Sequence, residues 1–163
     1  MAAMGLRELG QFKGRAVFEV REGAVAADFI WNDILLPIVS QKVVDILLRN
    51  RIESYSTFEV EVHRASKTIS GYFGLAILGR GGLNDPKAYR DGPLPGTQVQ
   101  RVNGLFPTSW DGCDLFTLDD AKRLILATER VRILFKKEKV TNCRFTPAEE
   151  FSVGYSTWPP KQY

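Results

Sequence analysis

Residues 128–147 read TERVRILFKKEKVTNCRFTP, and residues 40–60 read SQKVVDILLRNRIESYSTFEV. With Thr128 laid on Ser40 the two align without a gap. Val131 falls on Val43, Leu134 on Ile46, Phe135 on Leu47, Lys137 on Arg49, Lys139 on Arg51 and Val140 on Ile52. The lead-ins LPIVS and LILAT agree as well. Each stretch predicts an extended lead-in, a hydroxyl residue at a helix start, a helix of about three turns ending in basic residues, and then a strand. A capping hydroxyl satisfies free N–H groups, and basic residues suit the negative end of the helix dipole. Any helix would select these two features, so the likeness fits a repeat and shared helix grammar alike. One continuous helix from Asp119 to Lys139 also fits the spacing of Ala121, Leu124, Ile125, Thr128 and Val131. Pro37 forbids the equivalent long helix in the first stretch, which favours the repeat.

Outward from this pair, RAVFEV (15–20) alternates loosely and reads as a strand. Val43, Val44, Ile46, Leu47 and Leu48 cover more than half of the first helix's circumference, which predicts a helix contacted by two elements. In TFEVEV, Phe58, Val60 and Val62 alternate with Glu59, Glu61 and His63, the pattern of a half-buried strand. A turn at ASK and the run TISGYFGLAIL then suggest an antiparallel partner. From Gly79 to Gly112 the character changes. Half of the fourteen glycines and four of the eight prolines lie there, so an irregular segment is expected, with TQVQRV as a short strand inside it. CDLFTL reads as a strand and DDAKR as a turn or helical start. The fold expected is an α+β single domain over 1–163: a mixed or antiparallel sheet, two similarly built helices, and a long Gly/Pro-rich loop.

A chain of this length buries roughly two thirds of the surface its unfolded form exposes, enough for a real core. Hydrophobic residues at 44% and charged residues at 25% exclude a disordered or disulfide-framework class. Cys113 and Cys143 have no companions at metal-ligand spacing and read as small buried hydrophobes, with a disulfide only in an oxidising compartment. Twenty-two Lys and Arg against nineteen Asp and Glu leave +3. That balance is mild and disfavours dedicated nucleic-acid binding. No stretch approaches a membrane span and the first residues lack the apolar core of a signal peptide, so a cytoplasmic location is expected.

Residues with catalytic potential are sparse. His63 is the one histidine, and Glu59 and Glu61 beside it could complete a metal site, though an exposed strand face produces the same row without function. GRGG (79–82) follows a predicted strand but leads into no helix that could hold a phosphate. Asp119/Asp120 and Glu149/Glu150 are adjacent pairs whose members point different ways. No catalytic residue, metal or cofactor is therefore expected, and the protein is read as no enzyme. The alternative is a small enzyme or ligand-binding domain with the 79–112 segment as a lid and His63 or a carboxylate as acid/base. Tyr89, Arg90, Arg101, Phe106 and Trp110 interleave aromatic and basic character, as protein contacts do, and Phe106 and Trp110 could equally pin the loop to the core. On the second helix, Ile133 points away from the face of Val131, Leu134 and Phe135, among Arg130, Arg132, Lys136 and Lys137. It is either covered by FSVGYSTWPP or part of a contact surface.

The order LPIVSQKVVDIL, TFEVEV, DLFTL, TERVRILFKKEKVTNCRFTP resembles a family of bacterial immunity proteins. These are small intracellular proteins encoded beside polymorphic antibacterial toxins, in a group known as a domain of unknown function. The resemblance runs from Asp28 to Pro147. It rests on a Ser-capped helix (Ser40), the Phe58 strand, a strand at Leu115 and Phe116, and a closing segment with Phe145 and Pro147. It departs at VTNCRF, where the family has a glycine and this chain has Asn142 and Cys143, and in the long loop. The resemblance implies a protein that binds and neutralises a cognate toxin protein by contact, with no reaction of its own. Contact candidates are Tyr89, Arg90, Trp110 and Asp111 in the loop, or Arg132, Ile133 and Lys136 on the second helix. The basic balance favours a toxin with an acidic or neutral face.

Overall fold

A computed structural model describes residues 16–20, 27–31, 36–64, 67–85, 87, 89–90 and 100–155. Among them lie twelve strands and two α-helices: β1 (Ala16–Glu19), β2 (Phe29–Ile30), β3 (Ile38–Ser40), α1 (Gln41–Arg49), β4 (Tyr55–Arg64), β5 (Lys67–Ile69), β6 (Tyr72–Ile77), β7 (Gly79–Arg80), β8 (Tyr89–Arg90), β9 (Gln100–Asn103), β10 (Leu115–Thr117), β11 (Leu126–Ala127), α2 (Glu129–Lys137) and β12 (Ser152–Tyr155). The fold is α+β. A six-stranded sheet runs β1-β4-β6-β3-β2 with β5 also on β4, and three-stranded sheets run β11-β10-β7 and β12-β9-β8. The first is mixed, because β1 pairs with β4 in parallel while the other ladders are antiparallel. The second is mixed through the parallel β7–β10 pair.

The two helices follow one plan in detail. Each is nine residues long. Ser40 (φ −69°, ψ 159°) and Thr128 (φ −68°, ψ 160°) precede them in the same extended conformation. Each helix ends in a Schellman turn, with Arg51 (φ 51°) and Lys139 (φ 52°) in the left-handed region. Ile52 N–H donates to Leu47 O at 3.0 Å and Val140 N–H to Phe135 O at 2.9 Å. The companion bonds run from Arg51 to Leu48 and from Lys139 to Lys136. Ahead of each helix stands an antiparallel strand pair, Phe29 opposite Val39 and Leu115 opposite Ala127. The continuous helix from Asp119 does not form, because β11 and the Thr128 cap interrupt it.

Three expectations are corrected. The capping hydroxyls do not bond their own helices. Ser40 Oγ donates to Asp28 Oδ1 at 2.8 Å and Thr128 Oγ1 to Asp114 Oδ1 at 2.5 Å, each tying the helix start to the strand pair before it. The strand expected after the second helix is absent. β4 has neighbours on both sides, whereas the stretch after Val140 is tied to residues 28–31 by separate bonds: Phe29 N–H to Thr141 O, Thr141 N–H to Asp28 Oδ2, Asn142 Nδ2 to Phe29 O and Trp31 Nε1 to Asn142 O. Asn142 stands at φ 55°, a conformation that asparagine tolerates better than most side chains. The hairpin between β4 and β5 is also tighter than expected, since Arg64 pairs with Lys67 and leaves two residues between.

The run TISGYFGLAIL is two strands on one partner. Val62 pairs with Ile69 but Glu59 with Phe73, so one extra residue sits on the second strand at Ser70–Gly71. That is a β-bulge, and Gly71 at φ 81° supplies it. Next along, Gly74 lies opposite Phe58, whose ring covers the glycine where a Cβ would collide.

The main core draws on both helix units at once: Phe29, Val39, Val43 and Leu47 from the first, Leu115, Val131 and Phe135 from the second. The Phe29 and Phe135 rings lie 5.9 Å apart. Strand alternation sends Ile38, Val62 and Tyr72 to the opposite face of the large sheet, where a smaller cluster forms. A third cluster, Leu105, Phe116, Leu118, Ala121 and Leu126, supports the 79–113 region. That region is less irregular than its composition suggests, since β7, β8 and β9 lie within it.

Candidate protein-contact surfaces

Two surfaces gather the candidate residues whose side chains are described. The first is a lobe built from residues 79–85 and 104–113. Asp111 N–H donates to Arg80 O at 3.0 Å, while Arg80 N–H donates to Asp111 Oδ2 at 2.6 Å. Leu83 O accepts both Thr108 N–H and Thr108 Oγ1, each at 2.9 Å. Asp85 N–H reaches Phe106 O at 2.8 Å. Buried Asn84 fastens the pair from inside. Its Oδ1 accepts Phe106 N–H at 2.6 Å, its Nδ2 donates to Gly104 O at 3.3 Å, and its own N–H donates to Asp120 Oδ1 at 3.0 Å. From this braced backbone Leu83 (55% exposed), Phe106 (43%) and Trp110 (53%) project into solvent.

Trp110 is pinned to the fold on one side and open to solvent on the other. Its Nε1 donates to Cys113 O at 2.9 Å and its ring lies 6.0 Å from that of Phe116, yet half of it stays exposed. Asp111 is used internally. Burial alone would push its carboxyl up, but Cys113 and the Arg80 and Cys113 backbone N–H groups outweigh that and hold it below the ordinary value. Tyr89 and Arg90 form β8, paired with Val102 and Arg101 of β9, and their side chains lie outside those described. Leu83 gave no sequence signal, because a leucine among glycines reads as a loop anchor.

The second surface is the outward side of α1 and α2. The helices are clasped end to end in opposite directions. Lys42 Nζ, at the start of α1, donates to Lys139 O beyond the end of α2 at 3.1 Å. Arg130, at the start of α2, donates to Asn50 O at the end of α1. Both cations also pair with the carboxylate that holds their own helix start, Lys42 with Asp28 at 3.0 Å and Arg130 with Asp114 at 2.6 Å. The contacts thus repeat under an approximate twofold relation. Arg132 is held by Glu129 one turn earlier on the exposed face. Ile133 is 53% exposed and Leu48 63%. The C-terminal segment proposed as a cover for Ile133 instead begins as β12, paired with β9, and its residues 156–163 lie outside those described. Leu48 was expected in the core, but it sits at the edge of the apolar arc and turns outward. An open groove of about 430 Å³ runs along α1 past Lys42, Asp45, Leu48 and Arg49.

The remaining candidates do not converge. His63 Nε2 lies 2.8 Å from Glu61 Oε1, and among the described residues no three potential metal ligands meet. Both thiols are free. Cys113 lies 2.6 Å from Ser54 Oγ, and burial pushes the Cys143 thiol up to about 11. No helix among the described residues is long and apolar enough to cross a membrane. No family model matches the chain, and no curated protein matches it.

Proposed function

We propose that this protein binds a cognate antibacterial toxin domain in the cytoplasm and neutralises it by covering its surface, without a reaction of its own. The observation that carries this reading is the display of Leu83, Phe106 and Trp110 on two backbone segments, 79–85 and 104–113, that hydrogen bonds brace against each other. Large apolar side chains held outward on a rigid frame lose little freedom on association, which is the economy of a protein contact. An interface of ordinary size buries roughly 1,600 Å² in total, with a few such anchors carrying most of the energy.

The test is co-purification of this protein with the product of the reading frame beside its own, followed by titration of variants. Trp110→Ala and Leu83→Ala should each raise Kd at least about tenfold, with the far-UV spectrum unchanged. Full affinity in a folded double variant would remove the lobe as the contact.

A further inference from the structure

The chain's positive charge is concentrated on the helix pair. Residues 41–53 and 129–141 hold eight Lys and Arg against four Asp and Glu, a net +4 in a chain of +3, so all the other residues together sum to −1. Part of this charge is spent within the fold. Lys42 meets Asp28, Arg49 reaches Glu138 at 3.7 Å, Arg130 meets Asp114 and Arg132 meets Glu129. The helix ends are satisfied too, since Schellman bonds and the two cross-clasps take up carbonyls at each C-terminus. Arg51, Lys136, Lys137 and Lys139 remain exposed, and among the described residues they have no ion pair.

Each helix also carries one exposed apolar side chain on its outer surface. The clasps join position 42 to 139 and position 50 to 130, which sets Leu48 and Ile133 at about the same height on the two antiparallel helices. Both are more than half exposed. Apolar side chains with a charged rim are the composition of a protein interface, and a rim with unspent charge of one sign selects its partner's sign.

We infer that the outward face of α1 and α2 docks an acidic face of the toxin domain, with Leu48 and Ile133 as anchors and Lys136, Lys137, Lys139 and Arg51 as the selecting charges. This rests on the toxin-binding reading and adds the chemistry of the partner. Interspersed Asp45, Glu129 and Glu138 favour a protein over nucleic acid, which would meet repulsion from them.

The experiment is stopped-flow association of the full-length protein with the product of the adjacent reading frame, at low and high salt. The Lys136→Glu/Lys137→Glu variant should associate at least about tenfold more slowly at low salt, with the difference shrinking as salt rises. Lys136→Arg/Lys137→Arg should associate like the original. Leu48→Ala with Ile133→Ala should raise koff about tenfold and leave kon nearly unchanged. Equal association by the folded Glu variant would overturn the inference while leaving the toxin-binding reading in place. Absence of any complex with the original protein would sink both. Tight binding of a labelled DNA duplex, lost in the same Glu variant, would assign the face to nucleic acid and overturn the proposal.

Discussion

Asp28 does more within the fold than any other carboxylate whose contacts are described. It accepts from Ser40 Oγ at 2.8 Å, Lys42 Nζ at 3.0 Å, Thr141 N–H at 2.9 Å and Thr141 Oγ1 at 3.1 Å. It thereby joins the start of the first helix unit to the end of the second. Burial alone would raise its pKa, but these donors outweigh burial and hold it below its ordinary value of 3.8. A carboxyl whose folded pKa is depressed contributes stability that is complete above its unfolded value and is lost as pH falls through the folded one. Asp28→Asn should therefore cost about 2–3 kcal/mol in urea unfolding at pH 7, and its penalty should shrink as both proteins are measured below about pH 4. Asp114→Asn, which loses only the Thr128 and Arg130 partners, should cost less. An equal loss at pH 7 and pH 3 would show that the Asp28 charge is not what stabilises the junction.

The helix-and-Schellman unit is the element that occurs twice, and it was the most legible part of the chain. Apolar spacing and a basic end recur at matching positions because each is required locally, and the hydroxyl recurs with them. What the sequence hides is whatever depends on a partner far along the chain. The hydroxyls turn to aspartates 12 and 14 residues earlier, not to their own helices. β2 is too short for alternation to register, and the parallel place of β1 beside β4 has no local signature. Of the candidate site, Trp110 and Ile133 could be singled out as residues out of keeping with their surroundings. Leu48 and Leu83 could not, since leucine at the edge of an apolar arc or within a loop is ordinary. Arg51 exposes a local compromise, because φ 51° is a glycine's conformation filled by a side chain. Arg51→Gly should raise stability by about 0.5–1 kcal/mol, read as a higher urea midpoint with unchanged slope. A lower midpoint would mean that the arginine contributes more than its strained backbone costs.

At the scale of the molecule, the two units share one core and each clasps the other's helix end. Neither can lose its packing without exposing Phe29 or Phe135 from the other. Unfolding by urea should accordingly show one transition, coincident by tryptophan fluorescence and far-UV circular dichroism. Separate midpoints would show that the fold does not unfold as one unit. The lobe and the helix pair both present apolar side chains from fixed backbones, and the pair adds unspent positive charge. On the proposed reading, these surfaces serve to meet the toxin and hold it. The most direct measurement is growth of cells expressing the product of the adjacent reading frame, with the original protein, with Trp110→Ala/Leu83→Ala, or with neither. A neutralising binder should restore growth as the original protein, be recovered from those cells in a stable complex, and rescue less well as the variant. Toxicity that the original protein fails to relieve, or relief without any complex, would contradict the neutralising role.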